Sequence, residues 1–93
     1  MKYRVVSTSV FRRELRYMIR RGKPLEELDK VVDKLRNGEN LPKKYKDHQL
    51  HGQYEGYREC HIKPDWLLVY RKQDNILLLT LLRTGTHSDL FNK

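Results

Sequence analysis

The sequence has only one cysteine, Cys60, so it cannot form an internal disulfide, and a disulfide-stapled scaffold is excluded. Three prolines and five glycines among 93 residues are too few for a collagen-like, linker-rich or low-complexity chain. No apolar run approaches the roughly 20 residues that a membrane-spanning helix needs. The basic start, Met1 to Arg4, precedes an apolar segment too short for a secretory signal, so a soluble, cytoplasmic protein with no membrane partner is expected. Acidic residues are in the minority: 12 Asp and Glu against 20 Lys and Arg leave a formal charge of +8 and a pI near 9.8. Such an excess is a statement about partners, which are nucleic acid, an anionic surface or an acidic protein, and does not choose among them. The length allows a single domain over residues 1–93 around one core, with most apolar positions needed for folding.

What is present is ordered. Tyr3 to Ser7 carries β-branched Val5 and Val6 and reads as a first strand, ending where Ser7, Thr8 and Ser9 offer helix caps. Phe11, Leu15, Met18 and Ile19 form one apolar stripe of a helix that Gly22 stops, with Arg12, Arg13, Arg16 and Arg20 on its other faces. Pro24 fits the first turn of a second helix, whose stripe is Leu25, Leu28, Val32 and Leu35 and whose end is Asn37-Gly38. The short connection predicts an antiparallel helical hairpin on one face of a sheet. Glu39 to Gln49 has no period and reads as a loop. Segments at Leu50 to Tyr54, Tyr57 to Ile62, Trp66 to Arg71 and Ile76 to Arg83 read as an antiparallel meander, with one helical turn at His87 to Phe91. The predicted class is α+β, an N-terminal helical hairpin packed on a small antiparallel sheet.

Trp66 to Tyr70 is a continuous apolar run, the mark of a strand buried on both faces. On the strand before it, alternation puts Tyr57, Glu59 and His61 on one face and Cys60 on the other, where a buried structural thiol is expected. The turn between the two strands carries Asp65. His48 precedes one strand and His87 follows the last, so these histidines can meet at one end of the sheet. Zinc is not expected, because the histidine spacings are wide and irregular and the cysteine points away; no cofactor is implied. Two or three imidazoles, a carboxylate and a basic surface instead suit metal-free cleavage of RNA. That reaction needs a base for the 2′-hydroxyl, an acid for the leaving 5′-oxygen and a cation near the phosphate. Arg83, at the end of the last strand, is the candidate cation. Lys43, Lys44 and Lys46, interleaved with Tyr45, form either a solvated surface or a substrate-binding segment with an aromatic on which a base can stack.

Three stretches carry a resemblance: Lys-Asp-His-Gln-Leu-His-Gly at 46–52, Gly-Tyr-Arg-Glu-Cys-His-Ile-Lys-Pro-Asp-Trp-Leu-Leu-Val-Tyr at 56–70, and Arg-Thr-Gly-Thr-His-Ser-Asp-Leu-Phe at 83–91. They are similar to the motifs of the YafQ family of bacterial toxins, within the RelE superfamily, over nearly the whole chain. The resemblance implies a RelE-like fold and an endonuclease that cuts mRNA in the ribosomal A site. It also implies an antitoxin partner with an acidic segment and a DNA-binding domain, through which alone operator DNA is reached. Residue by residue, the family's catalytic positions fall on His48, His61, Asp65, His87 and Phe91, while His51 falls on a variable, surface position. Two other readings compete: a ParE-like toxin that inhibits DNA gyrase by binding, and a basic nucleic-acid module whose histidines are incidental.

Overall fold

A computed structural model describes residues 2–91. Its centre is the apolar run identified above. Strand β4 (Trp66–Gln73) lies in the middle of a five-stranded sheet of order β1-β5-β4-β3-β2, between β5 (Leu78–Gly85) and β3 (Arg58–Lys63). Trp66 through Tyr70 are each 1% exposed or less, because both faces of this strand are covered. Trp66, Leu68 and Tyr70 point into the larger core with Cys60, Ile62 and the helices α1 (Ser9–Arg20) and α2 (Leu25–Arg36). Leu67 and Val69 point the other way, to a smaller cluster with Leu90 of α3 (His87–Phe91), flanked by Leu50, Tyr57, Leu82 and Phe91.

The helices form where caps and stripes call for them. The Thr8 hydroxyl accepts from the Phe11 N–H at 2.9 Å to start α1, and Gly22, at φ +91°, follows its last turn. Phe11 and Met18 are buried, but Ile19 is 41% exposed: at about 100° per residue it lies some 80° from Phe11, at the margin of the stripe. In α2 the centre of the buried face is Val31, with Leu28 and Leu35 beside it, and Val32 is only partly buried. Pro24 is the residue before the helix rather than part of its first turn.

Two expectations need correction, and a third is met in part. The expected first strand, β1 (Arg4–Ser7), is present, so the helices follow it rather than forming the N-terminus, and α1 and α2 lie against β5 and β3 respectively. The sheet is mixed, since β1 runs parallel to β5, from Arg4 opposite Leu78 to Ser7 opposite Leu81. The segment Leu50 to Tyr54 is not a strand: β2 is only His48–Gln49, and Gly52, at φ +69°, opens a 3-10 turn, Gly52–Tyr54, in place of extended chain. Beyond Ser7 the edge of β5 has no strand neighbour among the described residues, and the start of α1 covers it. Thr8 donates its N–H to the Leu81 carbonyl and its hydroxyl to the Leu82 carbonyl, and the Glu14 carboxylate accepts the Thr84 N–H at 3.2 Å.

Candidate active site

Cross-strand register assembles the site. His48 on β2 faces Glu59 on β3, Glu59 faces Val69 on β4, and Val69 faces Arg83 on β5, a single row across four strands. The next row on the same face is His61, Leu67 and Gly85. Strands lie about 4.8 Å apart, so the β3 and β5 ends of these rows are about 10 Å from each other. His87 comes two residues after Gly85 and opens α3, which folds back over the row. A Cβ on Gly85 would stand 2.9 Å from Asp89 Cβ and 3.3 Å from a Leu90 methyl, so this close docking requires glycine. His48, His61, Arg83, His87 and Phe91 thus belong to one face and one end of the sheet.

Each has its own surroundings. The His48 Nδ1 lies 2.7 Å from the Lys46 carbonyl, which can only accept, so that nitrogen carries a hydrogen. Its Nε2 is 3.3 Å from Glu59 Oε1, a contact favourable only with a proton between them. Glu59 is 4% exposed, and its second oxygen is buried with no partner among the described residues. Lys46 adopts a left-handed φ of +50°, which aims its carbonyl at the imidazole. His61 is half-buried and lines a cleft with Lys44, Tyr45 and Pro64. Asp65 is exposed in the β3–β4 turn, with Lys23 3.8 Å away. The His87 ring lies 5.1 Å from that of Phe91, and Tyr54 packs edge-on against the far side of the pair, 6.3 Å from Phe91. Among the described residues His61, Asp65 and His87 share no hydrogen bond or ion pair with one another.

Arg83 is not a free cation. Its Nη2 and Nε donate to Glu14 Oε2 at 2.5 and 3.2 Å, and its Nη1 donates to the Tyr54 hydroxyl at 3.2 Å. The Glu14 contact pushes the guanidinium pKa further up, so its charge is permanent. Lys43, Lys44 and Lys46 are exposed, but Tyr45 is 6% exposed in the larger core and offers no open ring for a base to stack on. His51 is exposed, as expected. Cys60 is fully buried, and burial, with Asp47 and Glu59 nearby, pushes its thiol well above the usual range, which makes it inert. A cavity of about 490 Å³ is elsewhere. It lies around Asp47, Arg58 and Tyr70, whose polar groups already bond one another, and no histidine lines it. Among the described residues no cluster of three or more His, Cys, Asp or Glu is suited to a metal, and no helix is long and apolar enough to cross a membrane.

Three residues beside the site escape a reading of the sequence. Glu59 carried a signal, a lone acid on the His61 face of a strand otherwise buried. Glu14 is a single acid among arginines, and Tyr54 lies between glycines; neither carries a local sign of its distant partner.

An α+β domain of three helices and five strands that presents imidazoles, a paired arginine and an aromatic cluster at one end of its sheet falls in the class of toxins from bacterial type II toxin–antitoxin systems. The family model described as bacterial toxin of type II toxin-antitoxin system, YafQ, matches residues 3–92, and the chain belongs to that family. The mRNA interferase toxin YafQ of Escherichia coli is similar in two strains. In BL21-DE3 it is 39% identical over 82 residues, 87% of each chain; in K12 it is 53% identical over 51 residues, about half of each. The solved E. coli DinJ-YafQ toxin-antitoxin complex superposes with a TM-score of 0.88 at 35% identity, covering 98% of this chain and 99% of that one. A metal-bound toxin from Helicobacter pylori also gives 0.88, at 41% identity over 98% of this chain and all of that one.

Proposed function

We infer that this chain is an mRNA interferase, the toxin of a type II toxin–antitoxin pair, cutting ribosome-bound message by attack of the RNA's own 2′-hydroxyl. The 2′-oxygen bonds to phosphorus as its proton passes to a base, and the bond to the 5′-oxygen breaks as that oxygen takes a proton from an acid. The products are a 2′,3′-cyclic phosphate and a free 5′-hydroxyl. His87 is the acid, Asp65 with His61 stands on the base side, and Phe91 positions a base by stacking. His48 is held by Glu59 and the Lys46 carbonyl, while Arg83 supplies charge near the phosphate and Lys43, Lys44 and Lys46 meet the backbone. The observation that carries the reading is the pair of cross-strand rows, which run from His48 and His61 on one side to Arg83 and the His87–Phe91 turn on the other. The supply of donors argues against a metal-assisted step: a two-metal hydrolytic site wants several adjacent carboxylates, and Asp65 is paired with Lys23 while Glu59 is committed to His48. The proposed partners are an antitoxin whose acidic segment matches the +8 charge, and operator DNA only through that complex; the proposed location is the cytoplasm. DNA gyrase binding has no residue-level support here. Primer extension on message from cells expressing the chain should show defined in-frame cuts, with cyclic phosphate on the upstream piece. A 2′-deoxy substrate that is still cut, or an upstream product with a free 3′-hydroxyl, makes water the nucleophile and overturns the mechanism.

A further inference from the structure

The rings and charges around α3 form an unbroken chain that passes through a residue with no assigned task. Arg83 Nη1 donates to the Tyr54 hydroxyl, the Tyr54 ring meets Phe91 edge to face at 89°, and Phe91 leans on His87. We propose that Tyr54 is a further substrate-contacting residue, its hydroxyl joining Arg83 to grip the non-bridging oxygens of the scissile phosphate.

The hydrogens decide this. Glu14 takes the Nε hydrogen and one Nη2 hydrogen of Arg83, so Nη1 is the terminal nitrogen with no bond to the carboxylate, and one of its two hydrogens goes to Tyr54. The phenolic oxygen accepts that bond, which leaves its own O–H to donate, and among the described residues no acceptor takes it. Where Arg83 meets Tyr54, the second Nη1 hydrogen and the phenolic O–H therefore remain, on atoms 3.2 Å apart, a spacing suited to two oxygens of a single phosphodiester. Tyr54 is half-buried, and its ring is held by Phe91. The arrangement also answers a difficulty in the site: Arg83 has part of its charge offset by Glu14, and a neutral donor beside it adds stabilisation where negative charge grows without adding another cation to be neutralised.

The proposal rests on the RNA-cleaving reading, and the test separates the two. Single-turnover cleavage of ribosome-bound message is measured for the wild type and Tyr54→Phe, which keeps the ring and loses the hydroxyl, with each phosphorothioate diastereomer at the cut. Removal of one oxyanion donor typically costs about 10²-fold or more, so Tyr54→Phe should cut on the order of 100-fold more slowly and lose the wild type's preference between the diastereomers. A variant as fast as the wild type, with the same preference, overturns the proposal and leaves the cleavage reading standing. A wild type that leaves message intact overturns both. Should Tyr54→Phe fail to fold, 3-fluorotyrosine at this position makes the hydroxyl more acidic without removing it; a changed rate supports the contact and an unchanged rate overturns it.

Discussion

Glu14 ties α1 to the end of β5 beside the site, and removing it should be felt as lost stability before it is felt as lost activity. Its carboxylate takes two bonds from Arg83 and one from the Thr84 N–H, at 17% side-chain exposure. In Glu14→Ala the Thr84 N–H loses its partner on the strand edge that α1 covers, a cost of about 1–3 kcal/mol for a poorly solvated donor. Arg83 loses its counter-charge, but at 27% exposure water replaces part of it, so about 1 kcal/mol more is a fair addition. The sum is about 2–4 kcal/mol, which for a domain of this size lowers Tm on the order of 10–20 °C. Glu14→Gln keeps an amide oxygen for one N–H and should cost about half as much. Thermal and urea unfolding of both variants in a His87→Ala background, to spare the host, measures the difference. An Ala variant within about 0.5 kcal/mol of its parent would show that water serves these donors as well as the carboxylate does. Gln and Ala variants of equal stability would assign the whole effect to charge and none to the strand edge.

Two more outcomes are expected. His87→Ala should abolish cutting while leaving the unfolding midpoint nearly unchanged, because the side chain is exposed and its ring meets Phe91 at a tilt of 48°; a variant that still cuts is incompatible with the acid assignment. Asp89 gives a pH signature. Burial opposes its ionisation, but the Thr86 N–H at 2.9 Å, the Arg21 guanidinium at 2.8 Å and the Thr86 hydroxyl outweigh it and hold its pKa below the ordinary value. A folded pKa below the unfolded value of about 3.9 means that the stabilisation is complete above that pH and is lost as pH falls through the folded value. The gap in stability between wild type and Asp89→Asn should therefore be constant from pH 7 to about 5 and close below about pH 4; a gap that stays open in acid would place the effect in packing instead.

How far the sequence could be read depends on how local each determinant is. The Trp66–Tyr70 run, the Thr8 cap, the Phe11–Leu15–Met18 stripe and the turn at His87 are set by neighbours within a few residues, and all of them appear in the structure. The parallel pairing of β1 with β5 joins residues more than seventy positions apart, and nothing near Arg4 specifies that partner. Tyr45 had a local reading, an aromatic among lysines, that burial overrode. Arg83 shows most clearly where period-two reasoning stops. Leu79 and Leu81 point into the core shared with the helices, and strict alternation would send Arg83 after them. The ladder between β4 and β5 slips: Tyr70 pairs with Leu81, but Val69 pairs with Arg83, so Leu82 is the extra residue of a bulge. That one residue turns Arg83 to the Val69 face, into the row with Glu59 and His48 and within reach of Tyr54, while Thr84 returns to the core side to accept the Trp66 indole N–H at 2.8 Å. Without the bulge the guanidinium would enter an apolar core, at a desolvation cost of several kcal/mol, and the site would lose its cation.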